Sequence, residues 1–213
     1  MTENFCPPAG YSIVAEGNAL KPGELILRET KTALCMELCA APRCPVSEAR
    51  GLRMAAAVCA RDAMGAEAKI HWPGEIMLTD MTLCRVRFGR GEDRVVFQVE
   101  LDISALKPAG IEKTPQDIME EIAHALAAAV EGCPENLENA AERYCEACVT
   151  LMKFVDVTYR GVPVYGFAFA VDRHGGLMVM TQESRTVVTV YSGAATLSQS
   201  QPDAPEMPPA PGV

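Results

Sequence analysis

Ile70-His71-Trp72-Pro73-Gly74-Glu75-Ile76 holds the only tryptophan of the chain. Proline follows it at once, then glycine and an acid, and an apolar run resumes with Ile76, Met77 and Leu78. This order reads as a strand leaving a core, a sharp turn and a strand returning. Working outward, Ala68 to Trp72 enters the turn. Ile76 to Phe88 leaves it, with a break at Thr79-Asp80, and Val95 to Ile103 follows the loop Gly89-Arg90-Gly91-Glu92-Asp93.

Before the turn, Leu52, Ala55, Ala56, Cys59 and Ala63 recur at helical spacing. Ser47 is the expected N-cap of that helix, Glu48 lies in its first turn and Gly65 sits where a C′ residue belongs. Earlier still, Leu25-Ile26-Leu27 is a strand core behind the turn signal Lys21-Pro22-Gly23, and Leu34 to Ala40 is a second apolar run ended by prolines. After the turn region, Thr114-Pro115 opens a helix with Thr at the N-cap and Pro at N1. Ile118, Ile122, Leu126 and Val130 form its buried stripe, and Gly132 and Pro134 end it. A further helix is predicted over 135–152. From Phe154 onward, short Val- and aromatic-rich runs separated by glycine turns predict a small all-β module. His174 lies in one of these turns and reads as solvated; His124, alone on its helix, has no convergent partners for a ligand role. Residues 198–213 are rich in Pro, Ser and Gln and read as a disordered tail.

Of 213 residues, 49% are hydrophobic and 22% charged, the profile of a globular chain. A formal net charge of -9 argues against a nucleic-acid surface. No apolar stretch has the length of a membrane span. The start Met1-Thr2-Glu3-Asn4 lacks the basic and apolar regions of a signal peptide, so a cytoplasmic location is expected. Nine cysteines at irregular spacing then read as small buried hydrophobes. Cys145 and Cys148 make a C-x-x-C pair, but no complementary ligand set accompanies them, so no metal site is expected.

The turn resembles the K-W-P-N-D-I segment of biotin–protein ligases. The likeness extends over residues 11–197. Glu24 to Thr30 is similar to the family strand ending in A-x-x-Q, and Leu34 to Pro42 to the strand after it. Tyr144, Cys148 and Leu151-Met152-Lys153 match the helix that leads into the family's C-terminal domain. Gly166 to Leu177 is similar to the pattern G-x-a-x-g-i-d-x-x-G-x-L, and Ser192-Gly193 to the terminal s-G-e-v. The resemblance implies an α+β fold: a mixed sheet with helices packed on one side (1–152), followed by a small SH3-like β-barrel (153–197).

It also implies a chemistry, in which biotin and MgATP give biotinyl-adenylate and biotin passes to a lysine of a carrier protein. The departures fall on the residues of that chemistry. The family lysine is His71 here, its asparagine Gly74 and its aspartate Glu75. The Gly/Arg-rich loop that holds the adenylate phosphate is deleted, since Glu29-Thr30-Lys31-Thr32-Ala33 runs from one strand almost directly into the next. Aligned from the turn, the family G-I-L falls on Arg85-Val86-Arg87, and G-x-G-I-N on Gln98-Val99-Glu100-Leu101-Asp102. Glycines there let a backbone approach its ligand; Arg85, Gln98 and Glu100 put long side chains into the same volume. Arg85 and Glu100 are expected to pair across adjacent strands as a polar plug.

The candidate catalytic residues are therefore His71 and Lys69, which share a strand face. The candidate substrate-binding residues are Trp72, Pro73, Gly74, Glu75, Arg85, Arg87, Gln98, Glu100 and Asp102. A neutral imidazole does not replace a fixed cation at pH 7, so an impaired ligase serving as a binding or scaffolding module is expected. Its partners would be a biotin carboxyl-carrier domain or a true biotin ligase, with homodimers formed through sheet edges. Two alternatives stay open: an active ligase with Lys69, His71, Arg28 and Lys31 as its cationic set, and a sensor in which Arg85 and Arg87 bind another small carboxylate.

Overall fold

The structure, a computed structural model, describes residues 5–17, 19–193 and 195–197; the predicted tail over 198–213 lies outside them. The elements run β1 (Ser12–Ile13), β2 (Glu24–Glu29), β3 (Ala33–Ala40), a 3-10 turn (Ala49–Gly51), α1 (Leu52–Met64), β4 (Lys69–His71), β5 (Glu75–Leu78), β6 (Met81–Arg90) and β7 (Val95–Asp102). Then come α2 (Ile103–Leu106), α3 (Pro115–Glu131), α4 (Leu137–Ala147), β8 (Lys153–Tyr159), β9 (Val162–Val171), β10 (Leu177–Thr181), β11 (Val187–Val190) and β12 (Ala195–Leu197).

Seven strands form one sheet in the order β1-β2-β3-β7-β6-β5-β4. The β1–β2 pair is parallel and the others are antiparallel, so the sheet is mixed. Strand alternation divides it into two faces. Leu25, Leu38, Met36, Val99, Phe97, Cys84, Ile76 and Ile70 point to one face and are all buried. Helices α1 and α3 cover that face with Leu52, Met54, Ile118, Ile122 and Leu126, none more than 1% exposed. The opposite face carries the polar residues of the same strands. The fold class read from the sequence, α+β with a mixed sheet and helices on one side, is the one observed.

Five further strands make an antiparallel sheet in the order β11-β10-β9-β8-β12. Its inward residues, among them Val155, Val157, Leu177, Val179 and Val190, belong to the same continuous hydrophobic core as the first sheet.

Several local expectations need correction. Ser47 caps nothing; α1 is entered through the 3-10 turn, whose flanking Glu48 makes no side-chain cap. Gly65 does end α1, with φ of 113°. The last helix is shorter than 135–152: it stops at Ala147, where Cys148 turns extended and bridges to Ile70. Thr114 caps α3 as expected, accepting from the Asp117 N–H. Not every cysteine is an independent hydrophobe either. Cys44 and Cys133 form a disulfide, because their proline-flanked segments bring the α-carbons to 6.1 Å, within bridging range. Among the described residues no helix is long and apolar enough to cross a membrane.

Candidate functional site

The Trp72-Pro73 turn lies at the rim of the first sheet, and the Trp72 side chain points inward. Trp72 is 1% exposed. Its backbone N–H donates to Thr150 Oγ1 (2.9 Å) and its indole Nε1–H donates to the Gly175 carbonyl (3.1 Å) in the β9–β10 turn. The Tyr144 hydroxyl donates to the Pro73 carbonyl (3.1 Å). Thr150 is itself fully buried, so these polar groups satisfy one another away from water. Trp72 thus belongs to the core and to the junction between the two sheets, with Pro73 half-buried beside it.

Gly74 is held by space. A Cβ built on it would stand 2.5 Å from the Val86 carbonyl oxygen, and the Val86 N–H donates to the Gly74 carbonyl at 2.8 Å. The two backbones touch, and no side chain fits between them.

The other candidates converge on the face away from the helices. Register places Arg28 opposite Cys35, Cys35 opposite Glu100, Glu100 opposite Arg85, Arg85 opposite Glu75 and Glu75 opposite His71. One transverse row therefore crosses six strands as Arg28-Cys35-Glu100-Arg85-Glu75-His71. A second row beside it holds Glu37, Gln98 and Arg87. All of these but Glu75 and His71 line a shallow cavity of about 200 Å³, with Arg28, Arg85 and Arg87 among its walls.

The pairing within the row differs from expectation. Arg85 and Glu100 are cross-strand neighbours, but the guanidinium Nε–H bonds Glu75 Oε1 at 3.1 Å. The side chain follows the adjacent β5 strand, where Glu75 also faces His71, whose Nδ1 stands 3.6 Å from Glu75 Oε2. Arg28 bonds Glu37 (2.5 Å) and Glu16 (2.7 Å). These partners are half exposed, so each pair adds little to stability; what the row does is fill the face with alternating charge.

Burial lowers the His71 pKa, Glu75 opposes that shift and Lys153 adds to it. The imidazole is therefore neutral at pH 7. Lys69 is exposed two residues earlier on the same face and makes no ion pair among the described residues. Burial, followed by the charge of Glu100, holds the Cys35 thiol above its ordinary pKa, so it is protonated and a poor nucleophile. Asp102 serves as a helix cap, its Oδ1 accepting from Ser104 N–H (2.9 Å) and Ser104 Oγ–H (2.6 Å). The place of the missing loop is a tight hairpin: only Thr30, Lys31 and Thr32 join β2 to β3, and Thr30 N–H donates to the Ala33 carbonyl (2.8 Å).

Sequence reasoning missed a second cluster. Arg50, Arg53, Arg90 and Arg160 come together with His174 around a cavity of about 390 Å³ between α1 and the C-terminal sheet. His174 is half-buried there rather than solvated. The four arginines lie in different elements, so no local motif announces them. Among the described residues no group of three metal-ligating side chains converges, the Cys145–Cys148 pair included.

No family model matches the sequence, and no curated protein matches it. Solved structures do. A biotin protein ligase from Aquifex aeolicus superposes with a TM-score of 0.70 at 13% identity, covering 87% of this chain and 91% of its own. A biotin protein ligase-like protein of unknown function from Silicibacter sp. TM1040 superposes with a TM-score of 0.71 at 17% identity, covering 88% and 96%. Biotin acetyl coenzyme A carboxylase synthetase from Helicobacter pylori gives 0.52 at 15% identity, covering 80% and 88%. At these identities the likeness concerns the path of the backbone, and it spans both sheets: the chain has the fold of the biotin protein ligases.

Proposed function

We propose that the chain is a biotin–protein ligase homologue that has lost normal ligase turnover and acts as a binding or scaffolding module. The observation that carries this reading is the transverse row Arg28-Cys35-Glu100-Arg85-Glu75-His71. An apolar ring such as biotin's gains by leaving water only where apolar surface receives it, and this row offers polar and charged side chains instead, with Arg85 paired to Glu75 and Arg28 to Glu37 and Glu16. Two further features point the same way. A neutral His71 supplies no fixed cation for a carboxylate or phosphate, and removal of one preorganised electrostatic contact costs about a hundredfold or more in rate. The three-residue Thr30–Thr32 connection carries a single cation, Lys31, where the family has an Arg/Gly-rich loop.

In this reading the C-terminal sheet is the family's SH3-like module, residues 153–197, set beside a catalytic-type unit over 1–152. The partner is a biotin carboxyl-carrier domain or a true ligase, met through the β4 end of the first sheet and the C-terminal module. A second copy of the chain, paired through the β1 edge, is the homodimer form of the same idea. The test is direct. Purified protein is given biotin and MgATP, adenylate is measured by chromatography, and biotin binding is followed by calorimetry in the same samples. The expected result is neither binding nor adenylate. Adenylate formation would overturn the proposal in favour of a rearranged active site built on Lys69, His71, Arg28 and Lys31.

A further inference from the structure

Arg90 follows Phe88 by two residues on β6 and so lies on the helix-covered face of the first sheet, opposite to Arg85 and Arg87. Arg50 comes from the 3-10 turn before α1, Arg53 from the first turn of α1, and Arg160 from the β8–β9 hairpin. The cavity of about 390 Å³ that they surround is within the size range of small-molecule sites. It lies across the sheet from the charged row described above and does not depend on the function proposed for that row.

Its electrostatics are out of keeping with a chain of net charge -9. Arg50, Arg53, Arg90 and Arg160 have no carboxylate within ion-pair distance among the described residues. The nearby acid, Asp172, is committed to its own loop. Its Oδ1 accepts from the His174 and Gly176 N–H groups, both at 2.8 Å, and its Oδ2 from the Tyr191 hydroxyl at 2.6 Å. Arg53 is fixed by donating from Nη1 to the Tyr191 carbonyl (2.7 Å), and burial lowers its pKa while Tyr144 and Asp172 oppose the shift. A half-buried guanidinium without an anion is a site that an anion would favour.

His174 belongs to the same wall. His174 Nε2 accepts from Arg173 Nε at 3.3 Å, which leaves the ring proton on Nδ1. Nδ1 is buried and, among the described residues, is the buried side-chain nitrogen or oxygen without a hydrogen-bond partner. The aromatic faces of Tyr159 and Tyr191 stand beside the arginines, and Arg160 lies 5.1 Å from the Tyr159 ring centroid.

We infer that this cavity is a binding site for a small phosphorylated molecule carrying more than one phosphoryl charge, gripped by Arg50, Arg53, Arg90 and Arg160. Planar guanidinium forks match phosphate oxygens in pairs, and four of them exceed what a single carboxylate would use. The cavity is walled by two sheets and a helix, which suits a small molecule better than an extended chain.

The test uses sodium pyrophosphate as probe, by calorimetry and thermal shift on the full chain at low salt, where screening is weak. Arg90 and Arg160 are exposed, so Arg90→Gln and Arg160→Gln keep the fold. Wild-type protein is expected to bind pyrophosphate with Kd below about 1 mM. Each of these variants is expected to weaken binding about fivefold to tenfold, while Arg87→Gln on the other sheet face leaves it unchanged. Absence of binding, or a loss in Arg87→Gln matched by none in Arg90→Gln, would overturn the assignment. Tighter binding of a phosphoserine peptide than of pyrophosphate would overturn it in favour of a protein ligand.

Discussion

Replacing Gly74 with alanine tests why the turn departs from the asparagine of the family pattern. The added Cβ would stand 2.5 Å from the Val86 carbonyl oxygen, and real Cβ contacts of that kind begin near 3.0 Å or beyond. The opposing atom is backbone in the middle of β6, so no flexible side chain can swing aside. Relief requires the turn and the strand to separate by several tenths of an ångström or more. That separation stretches the Val86 N–H bond to the Gly74 carbonyl, now 2.8 Å. Overpacking of this type costs about 1–3 kcal/mol, and a weakened backbone hydrogen bond about 1 kcal/mol more. The sum, about 2–4 kcal/mol, is a large part of the roughly 5–15 kcal/mol that holds a domain folded. For a chain of this length it corresponds to a fall in Tm of about 4–16 °C. Urea unfolding followed by circular dichroism, with the thermal midpoint beside it, gives both numbers. A Gly74→Ala variant within about 0.5 kcal/mol of wild type would refute the reasoning and would make Gly74 a dispensable departure.

Other consequences follow from the same geometry. Because the folded His71 pKa lies below its ordinary 6.5, the unfolded state takes up a proton first as pH falls. Stability from this group is intact above about 6.5 and declines as pH drops toward the folded value. The urea midpoint should therefore fall between about pH 7.5 and about pH 5.5, and less so in His71→Gln. Trp72→Phe removes the Nε1–H bond to Gly175 and leaves that carbonyl unmet; a cost of about 1–3 kcal/mol and faster hydrogen exchange over 172–176 are expected. Burial pushes the Cys59 and Cys84 thiols up to about 12. In native protein iodoacetamide should label the exposed Cys6 first and reach Cys84 only on unfolding.

The sequence was legible where a local rule and the global fold agree. Thr114-Pro115 capped its helix because the cap needs only neighbours within one turn. The break at Thr79-Asp80 was visible, and Thr79 indeed has φ of 54°. Alignment from the turn grouped Gln98 and Glu100 with Arg85 and Arg87, and register sets them opposite one another. What could not be read was the choice among equivalent partners. Glu75 and Glu100 both flank Arg85, and only the three-dimensional geometry shows that Glu75 is the one taken. Asp102 looked like a site residue by alignment, yet its carboxylate caps the helix that starts one residue later. The arginine cavity was illegible for a different reason. Arg50 and Arg160 are separated by about half of the chain, and an overall acidic composition hides a local concentration of positive charge.

The Trp72-Pro73 turn has a consequence for how this protein is made. Its indole and proline carbonyl find their partners at Gly175 and Tyr144, which leave the ribosome about a hundred and about seventy residues later. At synthesis rates of about 5–20 residues per second, the first sheet waits some seconds with a large aromatic side chain unplaced and a polar N–H unpaired. The early strands cannot reach their final state until the late ones exist. A nascent chain halted after α4 would therefore be a client for chaperones, and cutting the gene between the two sheets would yield two sticky halves instead of two working modules.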